Sequence, residues 1–330
     1  CQTLTSARFV QEFIEEGDKA GKYPVLGVRR NAESGDVYGR AELFTCIPRD
    51  VTSELFESIY SSVLMSATLR PFDVTCKTLG ISDPKKMAFD LAFPQENRRT
   101  LAVDTPPLFS SNRDDPEVQG EILDTLEDAI KFTAGNVLVF FPSYGEAERY
   151  GDRLSDVVDR PVFLDQAGES ADVLRESFID QDRAVLCTSL WGTLTEGVSF
   201  DGDDARAVCV VGVPYPRLDD RSRAIQDSYD AAFEGENSGW QYAIEIPTVR
   251  KTRQAMGRIL RSPEDIGVRL LLDRRYTARH RDSMGKYSVR DSFPSKEREE
   301  IVDIDSDKVR YALSNFFTDQ NAWTDTPPRP

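Results

Sequence analysis

A chain of 330 residues is long enough for two domains and a substantial core. Hydrophobic residues make up 39% and charged residues 30%, which excludes a fibrous or disordered chain. The longest apolar runs, Asn136–Phe141 and Ala207–Val213, are far too short to span a bilayer.

The chain opens without a signal-peptide pattern and without Met, so it reads as a fragment or processed piece from a cytoplasmic setting. A helical pattern covers Ala7–Glu16, and a Gly- and charge-rich stretch, Gly17–Gly39, follows it. Ser61–Ser66 is a short apolar run, with a strand expected at Val63–Met65, and Phe72–Leu79 reads as a helix. From about residue 100 the pattern becomes regular. Apolar strands at Thr100–Val103, Asn136–Phe141, Val162–Leu164, Ala184–Thr188, Ala207–Val213 and Val268–Leu272 alternate with helical periodicity. The helices fall at Glu117–Thr133, Gly145–Val158, Asp172–Asp180, Asp219–Phe233 and Thr248–Arg261, with one more near Lys308–Phe317. Continuous apolar strands between amphipathic helices predict an α/β, doubly wound parallel sheet covered on both faces.

The formal net charge is −16, built from 34 Asp, 23 Glu, 31 Arg and 10 Lys. Many short carboxylates with few lysines suit a cytosol of very high salt, where self-repulsion is screened, and this predicts a halophilic source. The alternative is an ordinary acidic protein. The charge is uneven: Arg250–Arg290 holds twelve Lys/Arg against four Asp/Glu, a local net of +8. Such an island is a place where phosphate can dock, or a solvated face. Five cysteines without a CxxC pair, and a single histidine, His280, argue against zinc and against His-dependent catalysis.

The sharpest pattern is Gln254-Ala-Met-Gly257-Arg258-Ile-Leu-Arg261, on a helix expected to open at Pro247 and close at Ser262-Pro263. At about 100° per residue, Gln254, Gly257, Arg258 and Arg261 share one stripe, while Thr252, Met256, Ile259 and Leu260 cluster opposite. A glycine there costs about 1 kcal/mol against alanine, which makes sense where something approaches the backbone closely. Two guanidiniums, planar and always charged, suit a triphosphate.

This segment resembles motif VI of superfamily 2 helicases, and its continuation to Asp273-Arg274-Arg275-Tyr276 is similar to XPD/DinG-like helicases, here of haloarchaeal type. The resemblance implies that Arg258 and Arg261 reach the ATP γ-phosphate across an interdomain cleft, with Gln254 as a coupling residue and Gly257 beside the nucleotide. Ser66-Ala67-Thr68-Leu69 resembles motif III, although small hydroxyl residues are also common turn formers. Asn136–Tyr144 resembles motif IV, where Ser143 and Tyr144 would offer a hydroxyl to phosphate and a ring for stacking; the alternative is a capped strand end with a packed Tyr. Thr188–Phe200 resembles motif V, its pattern running from Gly192, with Thr195 and Glu196 toward DNA phosphate and ATP, and Gly197 permitting a tight turn. Ser199 stands where the family usually has Asp. Val211–Arg217 matches the family's GVPY strand end.

A P-loop, G-x-x-x-x-G-K-[ST], does not occur in this sequence, and neither does an Asp-Glu pair, so there is no DEAH box. ATP and Mg²⁺ would therefore be bound together with an N-terminal helicase half, in cis or in trans. The family's iron–sulfur cysteines lie between those two motifs, which places a cluster in the full-length protein and not in this chain. The resemblance thus implies a RecA-like second motor domain over 98–330. It also implies the end of the first motor domain over 59–97 and the end of an arch-like insertion over 1–58. The expected function is the C-terminal half of a 5′-to-3′ DNA helicase in repair, partnered by single-stranded DNA and by no membrane. The alternatives are a non-enzymatic nucleic-acid-binding or regulatory module, and an unrelated α/β binding protein.

Overall fold

Seven parallel strands form the main sheet of the computed structural model, which describes residues 2–17, 21–31, 34–89, 93–166, 170–195, 197–233, 235 and 238–330. The chain divides into two units, Cys1–Ala88 with Pro216–Pro247, and Phe89–Tyr215 with Thr248–Pro330. In chain order the first unit holds α1 (Gln2–Glu16), the strands β1 (Lys22–Arg30) and β2 (Val37–Thr45), α2 (Arg49–Ser58) and α3 (Phe72–Leu79). The second unit continues with β3 (Arg98–Asp104), α4 (Pro116–Lys131), β4 (Val137–Phe141), α5 (Tyr144–Val157), β5 (Val162–Leu164), α6 (Ala171–Ile179), β6 (Val185–Ser189) and β7 (Ala207–Val211). Next come α7 (Asp220–Ala232), α8 (Ser238–Trp240) and a π-helical turn (Gln241–Glu245), and then α9 (Ile246–Met256), which carries Pro247 as its second residue. The chain ends with β8 (Gly267–Leu272), α10 (Arg281–Met284), α11 (Ser295–Glu300), β9 (Ile301–Asp305) and α12 (Val309–Asp319).

In the first unit, β1 and β2 pair antiparallel along their full length, from Lys22 opposite Thr45 to Arg30 opposite Val37. This hairpin occupies the stretch that the sequence reading left as Gly- and charge-rich, because Leu26, Val28 and Val37 on it are exposed and carry no inward alternation. The unit's small core joins Cys46 and Ile47 to Tyr229 and Phe233 of α7. The rings of Tyr229, Phe233 and Tyr242 lie 5.0–5.6 Å apart, an aromatic cluster that ties 216–247 to the N-terminal elements. The strand expected at Val63–Met65 does not form: residues 61–66 have no regular structure, and Val63 and Met65 are 83% and 87% exposed. No neighbouring strand among the described residues pairs with them, and an unpaired strand has no ladder to hold it.

In the second unit the strand order is β5-β6-β4-β7-β8-β3-β9, parallel throughout. Successive side chains alternate between two cores, as the pleat requires. Val137, Val139 and Phe141 join α4, α5 and α12 on one face, while Leu138 and Phe140 join α6, α9 and the loop 190–205 on the other. The α/β doubly wound expectation therefore holds. Strand β9 went unread because its Asp303 and Asp305 interrupt the apolar run and only Ile301 is fully buried. At the end of β7, Gly212 has φ +68°, and a Cβ there would meet Pro142 Cγ at 3.1 Å and Leu108 Cβ at 3.3 Å, so only glycine fits this strand exit.

One buried side chain locks the N-terminal edge of the sheet. Asn136 is 2% exposed. Its Nδ2 donates to the carbonyls of Gln181 (2.8 Å) and Asp204 (3.0 Å), and its Oδ1 accepts from Ala184 N at 2.6 Å. It thereby pins the entries to β6 and β7 against β4. Asn136→Leu is expected to destabilise the protein by about 2–4 kcal/mol by orphaning these groups, and Asn136→Asp at least as much, measured as a shift in chemical-denaturation midpoint.

Candidate functional site

The candidate site is built at the exit of α9. The periodicity predicts a helix to Arg261, but α9 stops at Met256. The backbone N–H groups of Arg261 and Ser262, which a continuing helix would need, instead donate to Asp265 Oδ2 at 2.7 and 3.0 Å, and Ser262 Oγ donates to Oδ1 at 2.6 Å. Leu260 adopts the left-handed region at φ +63° and is buried with Ile259. The single stripe therefore breaks: Arg258 and Arg261 do not share a helical face. Arg261 is exposed beyond the turn, whereas Arg258 is only 9% exposed. The opposite face behaves as expected, with Thr252, Met256, Ile259 and Leu260 all buried.

Arg258 turns inward because an acceptor waits there. Its Nη1 donates to the carbonyl of Val198, in the loop that leaves β6. The next carbonyl along, that of Ser199, accepts from Arg175 Nε at 2.7 Å, and Arg175 also pairs with Asp204 at 2.7 Å. Two arginines, Arg175 on α6 and Arg258 just past α9, thus hold consecutive carbonyls of one loop. Ser199 itself is exposed. Gln254 is half-buried, and its Oε1 is buried without a hydrogen-bond partner among the described residues. Gly257 is exposed, and a Cβ there would meet only the carbonyls of Arg253 (3.2 Å) and Gln254 (3.6 Å) in its own turn, so its outer side is open. Gly197 is exposed and donates its N–H to Thr193 O at 3.0 Å. Thr195 is fully buried and its hydroxyl donates to Ser189 O at 3.0 Å, so it holds the loop internally. Glu196 lies outside the described residues.

At the end of β4, Ser143 caps α5: its Oγ accepts from Glu146 N at 3.2 Å. The neighbouring Tyr144 is 40% exposed. Burial, and then the negative Asp165, push its phenol above the ordinary range, and its hydroxyl hydrogen-bonds Asp165. Asp165 Oδ2 also accepts from Thr188 Oγ1 at 2.6 Å. A Cβ on Gly192 would stand 2.6 Å from the Tyr144 hydroxyl oxygen and 3.1 Å from Ser189 O. Glycine at the head of the β6 loop is therefore what lets the tyrosine end approach. Sequence reasoning did not mark Asp165, Arg175 or Asp265, since lone charged residues carry no spacing signal. Ser66 and Thr68 belong to the first unit, where both hydroxyls are hydrogen-bonded to each other at 3.2 Å.

The basic island is largely neutralised within the fold. Seven of its twelve cations have carboxylate partners: Arg253–Glu297, Arg269–Glu300, Arg274–Asp104, Arg275–Asp273, Arg279–Asp305, Arg281–Asp291 and Arg290–Asp303. Most of those carboxylates lie just downstream of the island, in 291–305. The expectation of an open phosphate dock across 250–290 is thereby corrected. Arg275 is 1% exposed and sits 4.4 Å from the Phe109 ring centroid, a structural cation. Among the described residues no group of three or more His, Cys, Asp or Glu stands close enough to hold a metal ion. The thiols of Cys187 and Cys209 are fully buried, which pushes both up, that of Cys209 to about 12. Among the described residues no helix is long and apolar enough to cross a membrane.

Residues 126–290 match the helicase C-terminal domain family. The chain belongs to that family, and within it to the XPD/DinG type of superfamily 2 helicases. It is 28% identical over 240 residues to the regulator of telomere elongation helicase 1 homolog of Drosophila yakuba, covering 66% of this chain and 24% of that protein. It is 23% identical over 263 residues to the general transcription and DNA repair factor IIH helicase subunit XPD/RAD3 of Saccharomyces cerevisiae, covering 74% of this chain and 33% of that one. The chain thus spans between a quarter and a third of the length of these relatives. A solved XPD helicase structure superposes with TM-score 0.62 at 18% identity, over 90% of this chain and 50% of the other. The RecA-like fold of this helicase domain is therefore shared with the XPD motor.

The Asp265 turn is the testable part of this geometry. Burial opposes ionisation of Asp265, but hydrogen bonds from the Ser262 hydroxyl and from the N–H groups of Ser262, Arg261 and Gly202 outweigh it and hold the carboxyl below its usual range. Its stabilisation is then present above the unfolded carboxyl range near about 3.9 and is lost as pH falls through the lower folded value. Asp265→Ala is expected to cost about 1–2 kcal/mol at pH 7. The gap between variant and wild type in denaturant midpoint is expected to narrow as pH falls below about 3.9.

Proposed function

We propose that this chain is the C-terminal part of the motor of an ATP-dependent 5′-to-3′ DNA helicase of the XPD/DinG type, acting in DNA repair in a halophilic, cytoplasmic setting. Residues 98–330 serve as the second RecA-like domain, 59–97 as the end of the first, and 1–58 as the end of an arch-like insertion. Arg258 and Arg261 act as arginine fingers on the γ-phosphate, Gln254 couples them to the nucleotide, and Glu196, Gly197 and Gly257 line the same side. Ser66, Thr68, Ser143, Tyr144 and Thr195 belong to the single-stranded DNA track. ATP and Mg²⁺ are held by the N-terminal half in cis or in trans, where an iron–sulfur cluster of the full-length protein would also reside. When bound, the nucleotide supplies the phosphoryl group whose developing charge the guanidiniums neutralise.

The observation that carries this reading is the hydrogen bond from Arg258 Nη1 to Val198 O. It joins the arginine after α9 to the loop after β6, so a ligand that moves one moves the other. The orphaned Oε1 of Gln254, one turn before Arg258, supports the same reading, because a buried acceptor without a partner is an unmet demand. An alternative is a non-enzymatic nucleic-acid-binding module, which Ser199 favours by withholding a carboxylate where the family usually has one.

The deciding experiment uses the chain extended upstream through a P-loop and DEAH box, and measures ATP turnover with and without single-stranded DNA. Arg258→Ala is expected to lower DNA-stimulated turnover by about 10³-fold or more, with little recovery in Arg258→Lys. The 330-residue chain alone is expected to turn over no ATP. Turnover unchanged in a folded Arg258→Ala variant would give the lead to the non-enzymatic module.

A further inference from the structure

We propose that Trp191 is a base-stacking residue for single-stranded DNA, backed by Lys251 and set beside Tyr144 on the loop after β6. This rests on the reading of the chain as a DNA-translocating motor part, and goes beyond it by naming a contact that the helicase motifs do not assign.

Trp191 is 44% exposed, although it follows the fully buried Leu190 and precedes the buried Gly192. An indole is large enough that burying it would contribute much to a core, so an exposed one at a rigid loop head calls for an explanation. The loop is rigid around it: Trp191 N donates to Ser189 Oγ at 3.2 Å, and Gly192 N donates to Ser189 O at 2.9 Å. Lys251 of α9 places its ammonium 5.1 Å from the centroid of the Trp191 ring. A cation on one face fixes the indole plane and adds a charge that a phosphate can share. On the neighbouring side, the missing Cβ of Gly192 admits the Tyr144 hydroxyl, so a second ring, 40% exposed, meets the chain one residue after Trp191. Two exposed aromatic rings with an ammonium form the kind of surface on which successive bases stack without regard to sequence.

The charge of the chain sharpens the choice of partner. With a net charge of −16, and with most of the basic island paired internally, long-range electrostatics oppose a polyanion. Phosphate contacts also weaken steeply with salt, whereas base–aromatic stacking is not a charge interaction and survives screening. An acidic chain that must hold DNA therefore gains most from rings. A peptide partner would meet the same rings, and the test separates the two.

The test titrates this chain with an oligothymidylate, following intrinsic tryptophan fluorescence together with the anisotropy of the same oligonucleotide carrying a dye. Trp240 is buried and Trp323 packs against the core, so quenching reports Trp191. Quenching on binding is expected in the wild type and is lost in Trp191→Phe, which keeps a ring and is expected to bind within about twofold. Trp191→Ala is expected to weaken binding about five- to hundredfold, with the loss persisting at high salt. Lys251→Gln is expected to flatten the salt dependence by about 0.7 in log–log slope. If the wild type binds without quenching, or Trp191→Ala binds as tightly as the wild type, the stacking proposal falls while the DNA reading stands. If the wild type does not bind at all, both fall.

Discussion

A parallel sheet buried on both faces is the constraint from which the rest of the second unit follows. Its strands must be apolar along their length, most of its connections cross over as helices, and all its strand C-termini must open on one edge. The loops after β4, β6 and β7 therefore gather there: Ser143 and Tyr144 from the first, Trp191 to Ser199 from the second, and the Gly212 exit from the third. The opposite edge has a different task, and Asn136 performs it by joining the entries to β6 and β7 through one fully satisfied carboxamide. The candidate site thus lies outside the carboxyl ends of the strands, where an open parallel sheet leaves a crevice.

What was legible in the sequence follows the same division. Strands that are apolar on both sides, such as β4 and β7, stand out wherever two cores claim alternate residues. Helices α3, α4 and α6 lie where a 3.6-residue period places them. The elements that escaped are those whose stabilisation is not written as local periodicity. Strand β9 carries Asp303, whose Oδ2 accepts from the N–H groups of Ala278 and Arg279 (2.7 and 3.2 Å) and so serves a neighbouring turn. The β1–β2 hairpin exposes both its faces over much of its length. The run Val63–Met65 has the composition of a strand, but composition supplies no partner to pair with. In the candidate site the residues that form the motif were visible, but their arrangement was not. Helical spacing put Arg258 and Arg261 on one stripe, and a single aspartate four residues beyond Arg261 redirected the backbone and separated them.

The charge pattern shows the same limit from another direction. Counting along the chain finds a basic island, but ion pairs form in space, and the carboxylates that neutralise it come mainly from the segment that follows. Arg253 illustrates the consequence. It lies on α9 beside the motif residues, yet it makes a two-pronged pair with Glu297 at 2.6 and 2.7 Å and anchors α11. On the motor reading proposed above, what remains to meet a nucleic acid is local: an arginine past the turn, and aromatic rings at the loop heads with Lys251 beside one of them.

Arg258 brings these themes together. A guanidinium at 9% exposure has given up most of its hydration, and a neutral backbone carbonyl is a weaker partner for it than an anion would be. The Val198 carbonyl is one acceptor that helps to hold Arg258, and a phosphate oxygen would be a stronger one. On the motor reading proposed above, nucleotide and loop compete for the same cation. When phosphate wins, the loop loses the anchor at Val198 while Arg175 still holds Ser199, one residue away. On that reading the exchange of this hydrogen bond is what would carry a change at the nucleotide to the loop after β6.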